Sequence, residues 1–170
     1  MAGSLNTVSL IGMPGVGKST VGVLLAKHLG LGFIDTDLHI QQREGCTLQD
    51  FLDAHDYLAL RRVEEEILLG LELADAVIST GGSVVYSEGA MARLAATGPV
   101  VYLCADLATL TSRVAAAPLR GIASDPRHSF AEVFAERTPL YAHHADITVD
   151  TAGATPAQVA EEIALALGQQ

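Results

Sequence analysis

The sequence predicts an α/β fold, a parallel sheet covered on both faces by helices. Three observations predict it. Short apolar runs alternate along the chain with segments whose apolar residues recur at helical spacing. A glycine-rich turn, Gly12-Met13-Pro14-Gly15-Val16-Gly17-Lys18-Ser19, joins the first such run to the first such segment. The 170 residues suit one domain, spanning 1–170, with a sizeable apolar core and no repeat or low-complexity linker.

The apolar run at residues 7–11 opens the chain as a strand, and residues 18–29 follow as a helix with Val21, Leu24, Leu25 and Leu29 on one face. A short strand at 33–34 leads into Asp35-Thr36-Asp37. Thr47-x-x-Asp50 marks a helix start. Residues 57–73 form a second amphipathic helix through Leu60, Val63, Ile67, Leu68 and Leu71. Strands at 76–79, 100–103 and 147–149 complete the sheet. Capping signals open two later helices, at Ser129-x-x-Glu132 and at Thr155-Pro156-x-Gln158, where proline takes the first helical position. Residues 115–127 carry Pro118, Gly121, Pro126 and no periodicity, and a loop of that length predicts a lid.

Composition narrows the function. Ten Lys and Arg face 20 Asp and Glu, a net charge of −10 that argues against a nucleic-acid partner. An anion handled by this chain has to be caught by a few placed arginines. Cys46 and Cys104 follow no metal-ligand spacing and read as buried apolar thiols of a reducing compartment. The histidines include no i, i+4 pair of the kind that holds zinc. No segment approaches about 18 uninterrupted apolar residues, and no basic leader precedes an apolar stretch, so the expectation is a cytoplasmic monomer without membrane contact.

The turn at 12–19 is a complete G-x-x-x-x-G-K-S/T phosphate loop between a strand and a helix. Gly12, Gly15 and Gly17 allow backbone turns closed to residues with a Cβ, so that successive N–H groups, with Val16 and Thr20 completing the loop, point at nucleotide phosphates. The following helix adds its positive end. Lys18 reaches the β/γ-oxygens and the Ser19 hydroxyl takes a position on Mg2+, which predicts ATP or GTP as ligand. Asp35 and Asp37, at i and i+2 off a strand end, are expected to point the same way into the loop's mouth. One would hold Mg2+ through water while the other accepts a proton from an attacking hydroxyl.

Arg61-Arg62-Val63-Glu64 on a helix, Thr80-Gly81-Gly82 after a strand and Glu136-Arg137-Thr138-Pro139-Leu140-Tyr141 before the last strand complete a pattern. With the phosphate loop, these motifs resemble the shikimate kinases in order and spacing over nearly the whole chain. The resemblance implies a P-loop kinase with a five-stranded parallel sheet in order 2-3-1-4-5, a mobile lid, and transfer of the ATP γ-phosphoryl group to the 3-hydroxyl of shikimate. It implies phosphate and Mg2+ contacts for Lys18 and Ser19, a magnesium-side carboxylate at Asp35, and a carboxylate gripping the substrate hydroxyls at Asp37. Arg61 and Arg137 match a clamp on the substrate carboxylate, Gly81 and Gly82 match backbone against the substrate ring, and Arg113 matches a residue near the adenine. A guanidinium binds a carboxylate through two parallel hydrogen bonds, which suits an acidic chain that must capture a small acid. Glu64 and Glu65, at i+3 and i+4, are placed to hold Arg61.

The chain departs from the family pattern at four places. Ser83 replaces a third glycine, Leu60 a phenylalanine and Tyr57 a glutamate, and Ala117-Pro118-Leu119-Arg120 stands where the lid usually begins Arg-Pro-Leu. Arg120 supplies the missing lid charge from three residues along, or the role is vacant. The alternatives to a shikimate kinase are a paralogue acting on another small hydroxy acid such as homoserine or gluconate, and a nucleotide-binding regulatory pseudo-kinase. Retention of both Asp35 and Asp37 argues against the last, since a mere binder needs no base.

Overall fold

The computed structural model describes residues 6–117 and 121–168. Strands β1 (Val8–Ile11), β2 (Gly32–Asp35), β3 (Ala76–Ser79), β4 (Val100–Cys104) and β5 (Ile147–Asp150) form one sheet in the order β2-β3-β1-β4-β5, and every neighbouring pair is parallel. Every residue of β1 and β3, VSLI and AVIS, and every residue of β4 but Cys104 is buried, as expected for inner strands covered on both faces. The edge strands β2 and β5 keep exposed or half-buried positions. The central strand β1 sends the chain to one side of the sheet, and the β3-to-β4 connection crosses to the other. The carboxyl ends of β1 and β3 therefore border the crevice where α/β sheets bind ligands.

Helix α1 (Lys18–Leu29) has the predicted bounds, opening at Gly17 and closing at Gly30, both in the left-handed region. The helices α2 (Thr36–Glu44), α3 (Leu48–Ala54) and α4 (Tyr57–Gly70) stand together at the β2–β3 side, where Ile40, Phe51, Leu60 and Val63 form a second, smaller core. Ala123, from the loop expected to be a lid, is buried in that same cluster. Helices α5 (Glu88–Thr97), α6 (Leu107–Ala116), α7 (Phe130–His144) and α8 (Pro156–Ala166) complete the described elements, with a 3-10 turn at Val84–Tyr86. The capping boxes expected at Ser129/Glu132 and Thr155/Gln158 are both formed.

Three sequence expectations need correction. The helix expected over 57–73 stops at Gly70, because Leu71 is already extended. Residues 115 and 116 belong to α6, so the irregular loop starts later than 115. Cys46 and Cys104 are free thiols, half-buried instead of enclosed. No helix among the described residues is long and apolar enough to cross a membrane.

Candidate active site

The phosphate loop leaves the carboxyl end of β1 and turns back at the start of α1. Gly12 has φ 150°, and a Cβ there would lie 2.5 Å from the Leu103 carbonyl oxygen of β4. Only glycine lets the loop pass this close to its neighbouring strand. Gly15 and Gly17 also take positive φ, 87° and 103°. Gly17 caps α1 without a side-chain hydrogen bond, so the first N–H groups of the helix are presented to a ligand. Lys18 is only 8 % exposed and donates from Nζ to the Gly12 and Met13 carbonyls, at 2.6 and 2.9 Å. Val16 is buried while Thr20 is exposed beyond it.

The strand register decides what stands opposite the loop. β2 pairs with β3 so that Asp35 lies beside Ser79, and both strands end there. The Ser19 hydroxyl donates to Asp35 Oδ2 at 2.7 Å and lies 3.2 Å from Ser79 Oγ. Ser79 was missed by the sequence reading, and its signal is that it is the first polar residue to end a buried strand. Asp35 and Asp37 do reach one cleft, but not as two residues of an extended segment. Asp35 ends β2 and caps α2, accepting from the Asp37 N–H at 3.0 Å, whereas Asp37 sits in the first helical turn. Both line the same cleft of about 700 Å³, which also holds Lys18, Ser19, Gly81, Gly82, Arg113 and Arg137.

Two guanidiniums converge on one carbonyl at that cleft: Arg137 and Ala123 line it, whereas Arg61 lines an adjoining cavity of about 300 Å³. Arg61 donates from Nε to the Ala123 carbonyl at 3.0 Å, and Arg137 donates from Nη2 to the same oxygen at 2.9 Å. Arg137 is 1 % exposed, and its Nε has no hydrogen-bond partner among the described residues. A buried cation with an unsatisfied donor favours an anionic ligand. The expected support of Arg61 by Glu64 and Glu65 is corrected. Glu65 accepts from the Ser87 hydroxyl and Glu64 from Ser83, while Arg61 lies against the rings of Tyr57 and Tyr86. Helical spacing permitted the ion pairs, but the turn carrying Ser83 and Ser87 packs close enough to take both carboxylates.

Glu64 is thus a residue of the site that spacing alone assigned to a surface role. It is 5 % exposed and backs Gly81, where a Cβ would lie 2.2 Å from its Oε1. Burial pushes its carboxyl up to about 7, with Asp37 adding to the rise and the Ser83 hydroxyl, Arg137 and Lys18 opposing it. Between its ordinary value of 4.5 and about 7 the native protein holds a proton that the unfolded chain has released. Stability from Glu64 is therefore complete below about pH 4.5 and is lost as pH rises through about 7. Glu64→Gln should gain on the wild type by roughly 3 kcal/mol between pH 5 and pH 8. Thermal melts of the ligand-free protein across that range check this, and a pH-independent difference between the two would refute it.

Arg113, in the last turn of α6, donates to the Val16 and Gly15 carbonyls at 3.3 and 3.4 Å, beside the loop's outer rim. Gly121, Ile122 and Ala123 line the cleft, and Gly121 passes so near Leu48 of α3 that a Cβ would collide with it. Asp125 and Arg127 then close a local ion pair at 2.6 Å, which holds the Asp125 carboxyl below the usual carboxylate range. Arg120 lies outside the described residues.

The shikimate kinase family profile matches residues 14–167. The chain is 38% identical to a shikimate kinase of Paracidovorax citrulli, over 98% of this chain and 94% of that protein. It is 39% identical to a shikimate kinase of Mycobacterium avium, over 91% of this chain and 89% of that one. Among solved structures it is similar to the shikimate kinase from Acinetobacter baumannii in complex with shikimate, with a TM-score of 0.85 at 26% identity, covering 97% of this chain and 94% of the other.

Proposed function

This chain belongs to the shikimate kinase family, ATP-dependent enzymes that phosphorylate a hydroxyl of shikimate, and from that premise we propose how its own residues divide the work. Backbone of Gly12, Gly15, Val16, Gly17 and Thr20, with Lys18, holds the ATP phosphates, and Arg113 flanks the adenine. Ser19 and Asp35 hold Mg2+, a reading supported by their 2.7 Å contact and the nearby Ser79 hydroxyl. Bound MgATP supplies the phosphoryl group and the charge neutralisation that its transfer needs. Asp37 grips the acceptor hydroxyl and takes its proton as the oxygen attacks. Arg61 and Arg137 hold the shikimate carboxylate, and the backbone of Gly81 and Gly82 lies against the ring.

The observation that carries the acceptor assignment is the convergence of two guanidiniums on the Ala123 carbonyl, in the cleft that Ala123 and Arg137 share with Lys18 and Asp37. A monocarboxylate with hydroxyls on the opposite side matches that spacing of charge. A coupled assay with shikimate, homoserine and gluconate tests it. Shikimate should be turned over with the highest kcat/KM. Faster turnover of either other acid would overturn the assignment, and ATP binding without transfer to any of them would favour the pseudo-kinase. The enzyme is further proposed to act as a cytoplasmic monomer without a nucleic-acid or membrane partner, in keeping with its net charge of −10.

The loop that follows α6, up to residue 127, acts as the lid, with Arg120 supplying the positive charge that the chain lacks at Ala117. Support comes from the next residue, Gly121, which lines the cleft. Arg120→Ala should lower kcat/KM for shikimate by about 2 kcal/mol, and adding Ala117→Arg should recover part of it. Steady-state kinetics on both variants check this. A silent Arg120→Ala would mean that the charge comes from elsewhere.

A further inference from the structure

We propose that Tyr86 is a positioning residue for the acceptor carboxylate, one aromatic ring that orients both clamp arginines at once. The inference rests on the assignment of Arg61 and Arg137 to that carboxylate. The Arg61 guanidinium carbon stands 3.9 Å from the Tyr86 ring centroid, and that of Arg137 stands 5.4 Å from the same ring. Tyr57 is 4.9 Å from the Arg61 carbon, so two aromatic rings face this guanidinium.

The chemistry differs from support by a carboxylate in a specific way. A guanidinium donates only in its own plane, and a carboxylate that holds it uses up two of those donors and cancels much of its charge. A ring binds the face through its quadrupole and leaves the in-plane donors available. Arg61 spends Nε on the Ala123 carbonyl, and ring support keeps its other two nitrogens available to a ligand. Glu64 and Glu65, the carboxylates nearest along α4, are engaged by Ser83 and Ser87.

Tyr86 is itself held at both ends. It closes the 3-10 turn whose other two residues, Val84 and Val85, are 2 % and 5 % exposed and anchor the backbone in the core. Its hydroxyl donates to Glu136 Oε1 at 2.5 Å, on α7 next to Arg137. The ring therefore spans from α4 to α7, the two helices that carry the clamp, and fixes the relative direction of two arginines that also share the Ala123 oxygen.

The test is a set of kinetic constants on the full-length enzyme with shikimate and ATP. Tyr86→Met fills similar volume without the negative ring face, and should raise KM for shikimate about tenfold while kcat and KM for ATP stay within about twofold. Tyr86→Phe keeps the ring and should restore KM to within about twofold of wild type. In an Arg61→Ala background Tyr86→Met should add less than about threefold, because part of its target is gone. If Tyr86→Met does not fold, Tyr57→Met tests the same support from the more open flank, with a smaller rise in KM expected. An unchanged KM in a folded Met variant overturns the inference, as does equal loss in the Phe and Met variants. If Arg61→Ala itself leaves KM for shikimate unchanged, it is the carboxylate assignment of the arginines that fails.

Discussion

Lys18→Ala should abolish phosphoryl transfer to shikimate, with kcat falling by a factor on the order of 10^3 or more. The lysine is 8 % exposed, and its Nζ donates to the loop carbonyls of Gly12 and Met13, so it stands inside the cradle it serves. No other lysine or arginine lies within the loop itself. Arg113 touches the loop from α6, but through the Gly15 and Val16 carbonyls at its rim. A charge fixed where negative charge moves during transfer stabilises the transition state more than the ground state, so the loss should fall on kcat. Rapid-quench measurement of phosphoryl transfer checks this, with nucleotide binding followed separately by calorimetry. Turnover near the wild-type rate would remove the phosphate loop from the mechanism.

Asp37→Asn should lower kcat by about 10^2 to 10^4 while changing ATP affinity by less than about threefold. The amide is nearly isosteric and still accepts a hydrogen bond, but it does not take a proton as a carboxylate does. The neighbouring Asp35 is engaged on both oxygens, with Ser19 and with the Asp37 N–H, and is not in a position to replace it. The two carboxylates therefore separate in a measurable way. Asp35→Asn should weaken the response to Mg2+, seen as a higher Mg2+ concentration for half-maximal rate, whereas Asp37→Asn should leave that concentration unchanged. Loss of ATP affinity with kcat intact in Asp37→Asn would move it to the metal side.

What was legible in advance follows a physical division. The phosphate loop was readable because its chemistry is contiguous: glycines, lysine and serine within eight residues define a backbone shape by local sterics, whatever packs around them. The starts of α7 and α8 were readable for the same reason, since a capping box joins residues three apart. Asp35 and Asp37 were readable as a pair, although the reason they converge is a helix cap and not the pleat of a strand. Arg61 was readable from its own helix, but its pairing with Arg137 could be named only through family resemblance, since 76 residues separate two side chains whose shared purpose no local pattern expresses.

By itself the sequence determined the five strands, the helices α1, α3, α4, α7 and α8, the nucleotide end of the site and the identity of the charged groups, because short-range backbone preferences and apolar periodicity act within a few residues. Helices α2, α5 and α6 were not read from it. Only the tertiary structure decided which of those groups face one another. It aligned Ser79 with Asp35 through strand register, and buried Glu64 behind Gly81 instead of pairing it with Arg61. It brought the backbone carbonyl of Ala123, which has no signature in any side chain, between two arginines from different helices. Helical spacing states which partners a side chain can reach, whereas burial makes the choice among them: a charged or polar group removed from water must bond to whatever the packed core has carried to its side.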